Sequence, residues 1–158
     1  MSFRSALARN VTSLQPEYVR RAAVGGRDAV FRFSVPVLRV RDVATTVSWY
    51  RSHLGFAAES FPESAPHEFA ILERDGVQLL VRQTTGARMR DDGHSGWDLY
   101  IWVDGADLGR LETTMALTGG VVRPLSPMGT SVVELEVRDP DGYVLCIGGP
   151  TKAALTQA

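Results

Sequence analysis

The chain has 158 residues, of which 44% are hydrophobic and 22% charged, with a single cysteine and a formal net charge of −1. This length suits one domain or two small modules that share a core, and the composition is that of a folded globular protein. No apolar run approaches the roughly 20 residues of a transmembrane helix. Because Cys146 has no partner, an intrachain disulfide and a four-cysteine zinc site are excluded, and we expect a reducing compartment, the cytoplasm.

The near-neutral total conceals two regions of opposite charge. Residues 1–32 carry six arginines and two acids, whereas the other 126 residues carry 11 basic and 16 acidic side chains. An acidic body disfavours nucleic acid as a partner and favours cationic ligands. We interpret residues 1–33 as a basic, helical extension, with a mitochondrial transit peptide as the alternative. The segment has no apolar h-region, which disfavours a secretory signal.

A regular pattern begins at residue 34. The alternation of Val35–Val40 predicts a strand, and Asp42 is a suitable N-cap for a helix that ends at Gly55. Three short strands follow at 56–61, 67–73 and 77–83, the last two joined by a tight turn. The residues of that turn are Asp75 and Gly76. The predicted buried side of the helix consists of Val43, Val47, Tyr50 and Leu54.

The same order repeats after a polar, glycine-rich linker at 84–96. A strand at Asp98–Val103 precedes a helix at Asp104–Leu117. Its predicted apolar side consists of Leu108, Leu111, Met115 and Leu117. Three more strands are predicted near 121–124, 130–138 and 143–148. The repeat predicts an α+β fold in which two tandem βαβββ modules, 34–83 and 97–150, form a curved mixed sheet with a cleft, followed by a tail at 151–158.

Each strand of such a module has one side toward its helix and one toward the opposite side of the sheet. Tyr100 and Trp102 alternate with apolar residues on the fifth strand, which favours a ligand cleft or a subunit interface. The alternative is that both rings pack under the linker or the extension. Arg39 and Arg82 on the same side make the surface mixed rather than purely acidic. The candidate ligand-binding residues are Trp102, Tyr100, Asp98, Glu134, Glu136, Arg39 and Phe61.

Several segments carry a resemblance to a known superfamily. They are VPVLRVRDVATTVSWYRSHLGF at 35–56, FAILERDGVQLLV at 69–81, IWVDG at 101–105, and Glu134 with RDPDG at 138–142. Together they resemble the vicinal-oxygen-chelate superfamily of glyoxalases, extradiol dioxygenases, and fosfomycin and bleomycin resistance proteins, and are most similar to the bleomycin resistance proteins. The segment before Glu134 lacks the Trp-Gly found in many relatives, with Met128-Gly129 as the nearest counterpart.

The resemblance also implies where a metal would be bound. Metal enzymes of the superfamily hold one divalent ion from strands one, four, five and eight, which here places Val35, Leu80, Asp98 and Cys146 at the ligand positions. One carboxylate and one thiol do not make a catalytic site of three protein ligands, so we expect no metal and no cofactor. The histidines are expected to be surface or capping residues; they are His53, His67 and His94.

Three functions remain open on this basis. The resemblance favours a homodimer that sequesters a small, cationic, aromatic molecule in a dimer cleft without altering it, with a bleomycin-type antibiotic as the reference ligand. The second is a divalent-metal-dependent lyase, transferase or dioxygenase with an unusual ligand set. The third is a scaffold dimer whose cleft is filled by side chains. No nucleic acid or membrane partner is expected.

Overall fold

A computed structural model describes residues 34–86, 96–104 and 108–151. The predicted helical extension, most of the predicted linker with His94, and nearly all of the predicted tail lie outside these ranges. Among the residues that are described, no helix has the length and apolar character needed to cross a membrane.

Two consecutive βαβββ modules are present, as predicted. The elements of the first are β1 (Val37–Val40), α1 (Val43–Leu54), β2 (Ala57–Phe61), β3 (Phe69–Arg74) and β4 (Val77–Gln83). Those of the second are β5 (Leu99–Trp102), α2 (Leu108–Ala116), β6 (Val121–Met128), β7 (Val132–Arg138) and β8 (Val144–Pro150). The α+β class and the duplicated order are therefore confirmed.

Each module forms a four-stranded mixed sheet of its own. The strand orders are β1-β4-β3-β2 and β5-β8-β7-β6. In both sheets the first strand of the module runs parallel to the last, and the remaining pairs are antiparallel. The matching register makes residues of the two modules comparable position by position.

Local sequence signals explain the ends of α1 and the tightest hairpin. Asp42 Oδ1 accepts the backbone N–H of Thr45 at 2.7 Å, and this hydrogen bonding lowers the pKa of Asp42. Gly55 ends α1 with a φ of 67°, a conformation that side chains disfavour. Asp75 and Gly76 both have positive φ, 50° and 83°, as a two-residue hairpin turn requires.

The second module departs from the sequence prediction in two places. The predicted apolar side of α2 included Leu117, but the helix ends at Ala116 and this leucine is 86% exposed. That prediction was wrong because the chain turns at Met115–Gly120 before the helical period reaches Leu117. Strand β6 extends to Met128 rather than residue 124, because an edge strand with register shifts tolerates prolines.

The chain groups into two compact units, and the end of α1 belongs to the second. Among the described residues, one unit joins 34–47 with Phe56–Thr85, and the other joins Ser48–Gly55 with Gly86, 96–104 and 108–151. Within the second unit the hydroxyl of Tyr50 donates to Asp139 Oδ2 at 3.2 Å. The helix of the first module thus contributes a buried contact to the final hairpin of the second.

Asp139 organises that final hairpin from a buried position. Its Oδ1 accepts the backbone N–H groups of Asp141 and Tyr143, each at 2.9 Å, while its exposed fraction is only 4%. Burial raises the pKa of Asp139 to about 6, although the two backbone donors and the Tyr50 hydroxyl act to lower it. Loss of hydration by the carboxylate, together with the nearby charge of Asp141, therefore outweighs three hydrogen bonds.

The raised pKa of Asp139 predicts how stability changes with pH. The folded chain favours the neutral form of Asp139. The stabilisation that this preference gives to the fold is fully present below the ordinary pKa of 3.8, and it is lost as the pH rises through about 6. Between pH 3.5 and 6.5 we expect Asp139→Asn to gain up to about 3 kcal/mol relative to the wild type. Urea unfolding across this range measures the difference, and parallel curves for the two proteins would contradict the assignment.

Candidate functional site

Side chains on one side of the second sheet form a continuous polar and aromatic surface. Tyr100, Cys146, Glu136 and Arg123 are direct neighbours across β5, β8, β7 and β6, and such neighbours point to the same side. The next row contains Trp102, Gly148 and Glu134. We call this surface the aromatic–carboxylate face and define it as Trp97, Tyr100, Trp102, Arg123, Glu134, Glu136, Cys146 and Gly148.

The centre of the face is an arginine held between two glutamates. Arg123 Nε donates to Glu136 Oε1 at 2.8 Å, and Arg123 Nη2 donates to Glu134 Oε2 at 3.0 Å. Glu134 is only 5% exposed, so its charge requires this partner. Both hydrogen bonds raise the pKa of Arg123, which keeps the guanidinium charged.

The irregular backbone of β6 places Arg123 between these carboxylates. The pairing of β6 with β7 shifts register on both sides of Arg123, between Val121 and Arg123 and again before Ser126. From α2, Glu112 Oε1 accepts the backbone N–H of Leu125 at 2.8 Å within the second shift. A bulge redirects a strand and leaves a backbone donor without a ladder partner, and Glu112 supplies the missing acceptor.

Each aromatic ring of the face donates its polar hydrogen to a carboxylate. Trp97 Nε1 donates to Glu136 Oε1 at 2.9 Å, the Tyr100 hydroxyl donates to Glu134 Oε1 at 3.1 Å, and Trp102 Nε1 donates to Asp104 Oδ1 at 3.1 Å. The three rings remain 45–49% exposed, and the ring centroids of Trp97 and Tyr100 lie 5.4 Å apart. The hydrogen bonds at the ring edges therefore orient the three rings, and the flat surfaces of the rings remain accessible.

The electrostatics of the face follow from these contacts. Burial acts to raise the pKa of Glu136, but the hydrogen bonds from Trp97 and Arg123 outweigh it and lower the pKa. Burial, followed by the bond to the Glu134 carboxylate, raises the pKa of Tyr100. At neutral pH the glutamate is ionised and the tyrosine carries its proton.

The absence of a side chain at Gly148 leaves room for the Tyr100 ring. A Cβ built on residue 148 would overlap the Tyr100 hydroxyl oxygen and lie 2.8 Å from the ring carbon Cζ. The tyrosine therefore reaches Glu134 across a strand position that has no side chain. A glycine is required here for close approach rather than for backbone conformation.

The candidate residues selected from sequence divide between the two units. Trp102, Tyr100, Glu134 and Glu136 lie together on the aromatic–carboxylate face. Asp98 lies beside β8, where its Oδ2 accepts the backbone N–H of Val144 at 2.9 Å.

Phe61 and Arg39 belong to the first unit. Phe61 is buried and stacks on Phe69 with centroids 4.9 Å apart, in a cluster with Ile71 and Leu80. Arg39 lies level with Arg82 on the neighbouring strand.

Two side chains that make the polar contacts of the face, Trp97 and Arg123, were not among the candidates predicted from sequence. Trp97 precedes β5 and shares its alternation phase with Leu99, so the alternation rule assigns its side chain to the helix side. Arg123 lies between two register shifts, where alternation along β6 no longer predicts direction. The opposite charges of Arg123 and Glu136 across one hairpin are the only sequence signal that pointed to a contact.

The comparisons with known proteins bear on this fold. The sequence model of the Glyoxalase/Bleomycin resistance protein/Dioxygenase superfamily matches residues 32–147. The chain belongs to this superfamily. A comparison with the sequences of curated proteins found no significant match.

Solved structures agree with the superfamily assignment at the level of the fold. A glyoxylase/bleomycin resistance protein/dioxygenase domain from a Frankia species has a TM-score of 0.64 at 23% identity, over 78% of this chain and 95% of that chain. TioX from a Micromonospora species has a TM-score of 0.61 at 22% identity, over 75% and 95%. The fosfomycin resistance protein FosX from Listeria monocytogenes has 0.62 at 11% identity, over 80% and 98%.

The side chains at the superfamily's metal positions do not fit a divalent metal centre. Val35 and Leu80 have no donor atom and belong to the apolar cluster of the first unit. Burial, reinforced by the charges of Glu134 and Glu136, raises the pKa of Cys146 to about 11, so its thiol keeps its proton at neutral pH. The fourth position is Asp98, which already accepts a backbone hydrogen bond.

The remaining metal-binding residue types are dispersed. Among the described residues, no group of three or more His, Cys, Asp or Glu side chains is placed to hold a metal ion. His53 Nδ1 lies 2.9 Å from the carbonyl oxygen of Trp49, and His67 Nδ1 lies 2.8 Å from that of Pro62. Both rings therefore make local backbone contacts.

The role of Arg123 predicts a stability change. Arg123→Met leaves Glu134 without its countercharge, and we expect a loss of about 2 kcal/mol in the free energy of unfolding. Adding Glu134→Gln removes the unpaired charge and should restore at least half of that loss. Arg74→Met is the matched control, because Arg74 pairs with the exposed Asp75 and such pairs contribute well under about 1 kcal/mol. If urea unfolding shows that Arg123→Met loses no more free energy of unfolding than Arg74→Met, this role of Arg123 is contradicted.

The close approach at Gly148 predicts a second change. In Gly148→Ala the new methyl group displaces the Tyr100 ring from Glu134, and we expect a loss of about 1–3 kcal/mol. The control is Gly109→Ala, in the first turn of α2 with no neighbouring atom within 4 Å of a new Cβ, which should be neutral or stabilise by less than about 1 kcal/mol. Thermal unfolding measures both variants, and equal effects at the two positions would show that residue 148 has room for a side chain.

Proposed function

We propose that this protein binds and sequesters a small, cationic, aromatic molecule on the aromatic–carboxylate face, without a metal. A bleomycin-type antibiotic is the reference ligand. The observation that carries the proposal is the set of three half-exposed rings, each held at its polar edge by a carboxylate. An exposed Tyr and two exposed Trp on one sheet face are typical of a surface that stacks planar ligands.

The charges of the face support a cationic ligand. The carboxylates of Glu134, Glu136 and Asp104 contact the three rings, and Arg123 is the cation that pairs with the two glutamates. The surplus of negative charge attracts a cation, and the ring faces add cation–π attraction. Stacking contributes on the order of 1 kcal/mol for each ring beyond its buried area, whereas micromolar binding takes about 8 kcal/mol. The ligand must therefore engage several rings at once.

The names of structural neighbours include both resistance proteins and an enzyme. The Frankia domain is described as a glyoxylase/bleomycin resistance protein/dioxygenase, and FosX as a fosfomycin resistance protein. Another neighbour, with a TM-score of 0.56 at 14% identity, is a lactoylglutathione lyase from Agrobacterium tumefaciens. The poor metal fit of the residues here favours binding over the chemistry of a metal-dependent lyase, transferase or dioxygenase.

We further propose that the protein acts as a homodimer in the cytoplasm. The half-exposed rings of Trp97, Tyr100 and Trp102 are an apolar surface that a ligand or a second subunit would cover. The single cysteine is buried and its raised pKa disfavours the reactive thiolate, which suits a chain that makes no disulfide. Sedimentation velocity with and without ligand would test the dimer.

Loss of one ring predicts weaker binding. Trp102→Ala should weaken the binding of bleomycin, or of another cationic aromatic antibiotic, by about tenfold, since stacking and buried area are both lost. Leu117→Ala, which removes an exposed apolar side chain outside the face, should bind like the wild type. Isothermal titration, run with and without divalent metal, measures the affinities. Binding that depends on the metal, or an affinity that is unchanged in Trp102→Ala, would overturn the proposal.

A further inference from the structure

The polar hydrogens of the three exposed rings are all engaged by neighbouring carboxylates. Trp97, Tyr100 and Trp102 each have one such hydrogen, and each donates it to a carboxylate 2.9–3.1 Å away. A bound molecule therefore finds no free donor on these rings. Their flat surfaces, with the rings 45–49% exposed, are what they offer to a ligand.

The glutamate oxygens are also largely engaged. Glu134 accepts from Tyr100 with one oxygen and from Arg123 with the other, and Glu136 Oε1 accepts from both Trp97 and Arg123. Among the described residues, Glu136 Oε2 is the single glutamate oxygen of the face with no hydrogen-bond donor. The two glutamates therefore supply a negative potential but few free oxygens for the hydrogens of a ligand, whereas Asp104 is an exposed carboxylate beside Trp102.

The engaged ring hydrogens and the engaged glutamate oxygens affect the binding of a cation according to how its charge is distributed. A primary ammonium is a compact, strongly hydrated charge with three donors, and it gains little unless acceptors replace its lost water. A charge delocalised over an aromatic ring is weakly hydrated and lies within the plane that stacks. Hydrogen bonding to a carboxylate further enriches each indole or phenol ring in electron density, which strengthens its attraction for such a cation.

We propose that the aromatic–carboxylate face selects molecules whose positive charge is delocalised over a planar ring system, in preference to molecules that carry a primary ammonium beside a neutral ring. This proposal rests on the proposed function and specifies its ligand class. Arg123 contributes to the selection because it occupies one oxygen of each glutamate, which an ammonium would otherwise use.

The test uses three probes with the same tricyclic ring. N-methylacridinium carries a delocalised charge and no N–H, 9-(aminomethyl)acridine carries a primary ammonium at pH 7, and acridine is largely neutral there. Fluorescence titration of the full chain should show N-methylacridinium binding at least tenfold more tightly than either of the others. Trp102→Leu keeps an apolar side chain without a ring face and should reduce this preference to less than threefold, whereas Leu117→Ala should preserve it.

The outcomes separate the two proposals. If the ammonium probe binds as tightly as N-methylacridinium or more tightly, the selection is overturned while cationic aromatic binding stands. If no probe and no cationic antibiotic binds, the proposed function fails and the selection fails with it. If neutral acridine binds as tightly as N-methylacridinium, charge plays no part, and both the selection and the cationic part of the proposed function are overturned. Circular dichroism of Trp102→Leu confirms that the variant is folded before its affinities are compared.

Discussion

Glu134 is a carboxylate with almost no exposure in the middle of a sheet, and its charge is sustained because Arg123 lies 3.0 Å away. Several features of the second module are linked to this ion pair. Strand β6 must shift register to bring the guanidinium over β7, and Glu112 of α2 accepts the backbone hydrogen in that stretch. Gly148 must lack a side chain so that the Tyr100 hydroxyl reaches the other oxygen of Glu134.

The same constraint orders the face that we propose as the binding surface. Carboxylates that pair with Arg123 also accept hydrogen bonds from the polar edges of Trp97 and Tyr100, so contacts within the protein orient these two rings. A surface whose side chains are already ordered loses less conformational entropy on binding. The function proposed for the protein depends on this order as much as on the presence of aromatic residues.

The two modules share one topology but have opposite chemistry on the matching side of their sheets. The row of Tyr100, Cys146 and Glu136 in the second sheet corresponds to that of Val37, Leu80 and Ile71 in the first. In the first unit Ile71 and Leu80 pack with Phe61 and Phe69, which closes the surface with apolar side chains. The corresponding side therefore carries an apolar cluster in the first sheet and a network of ion pairs in the second.

The sequence by itself determined the fold and half of the face. Turn residues such as Asp75-Gly76, the Asp42 cap and two-residue alternation are local, and they predicted both βαβββ modules as well as the direction of Tyr100 and Glu134. Only the tertiary structure decided that Arg123 pairs with both glutamates, that Trp97 joins the face, and that Tyr50 reaches Asp139. These contacts depend on strand register, bulges and helix placement, which arise from packing between distant segments and leave no local pattern in the chain.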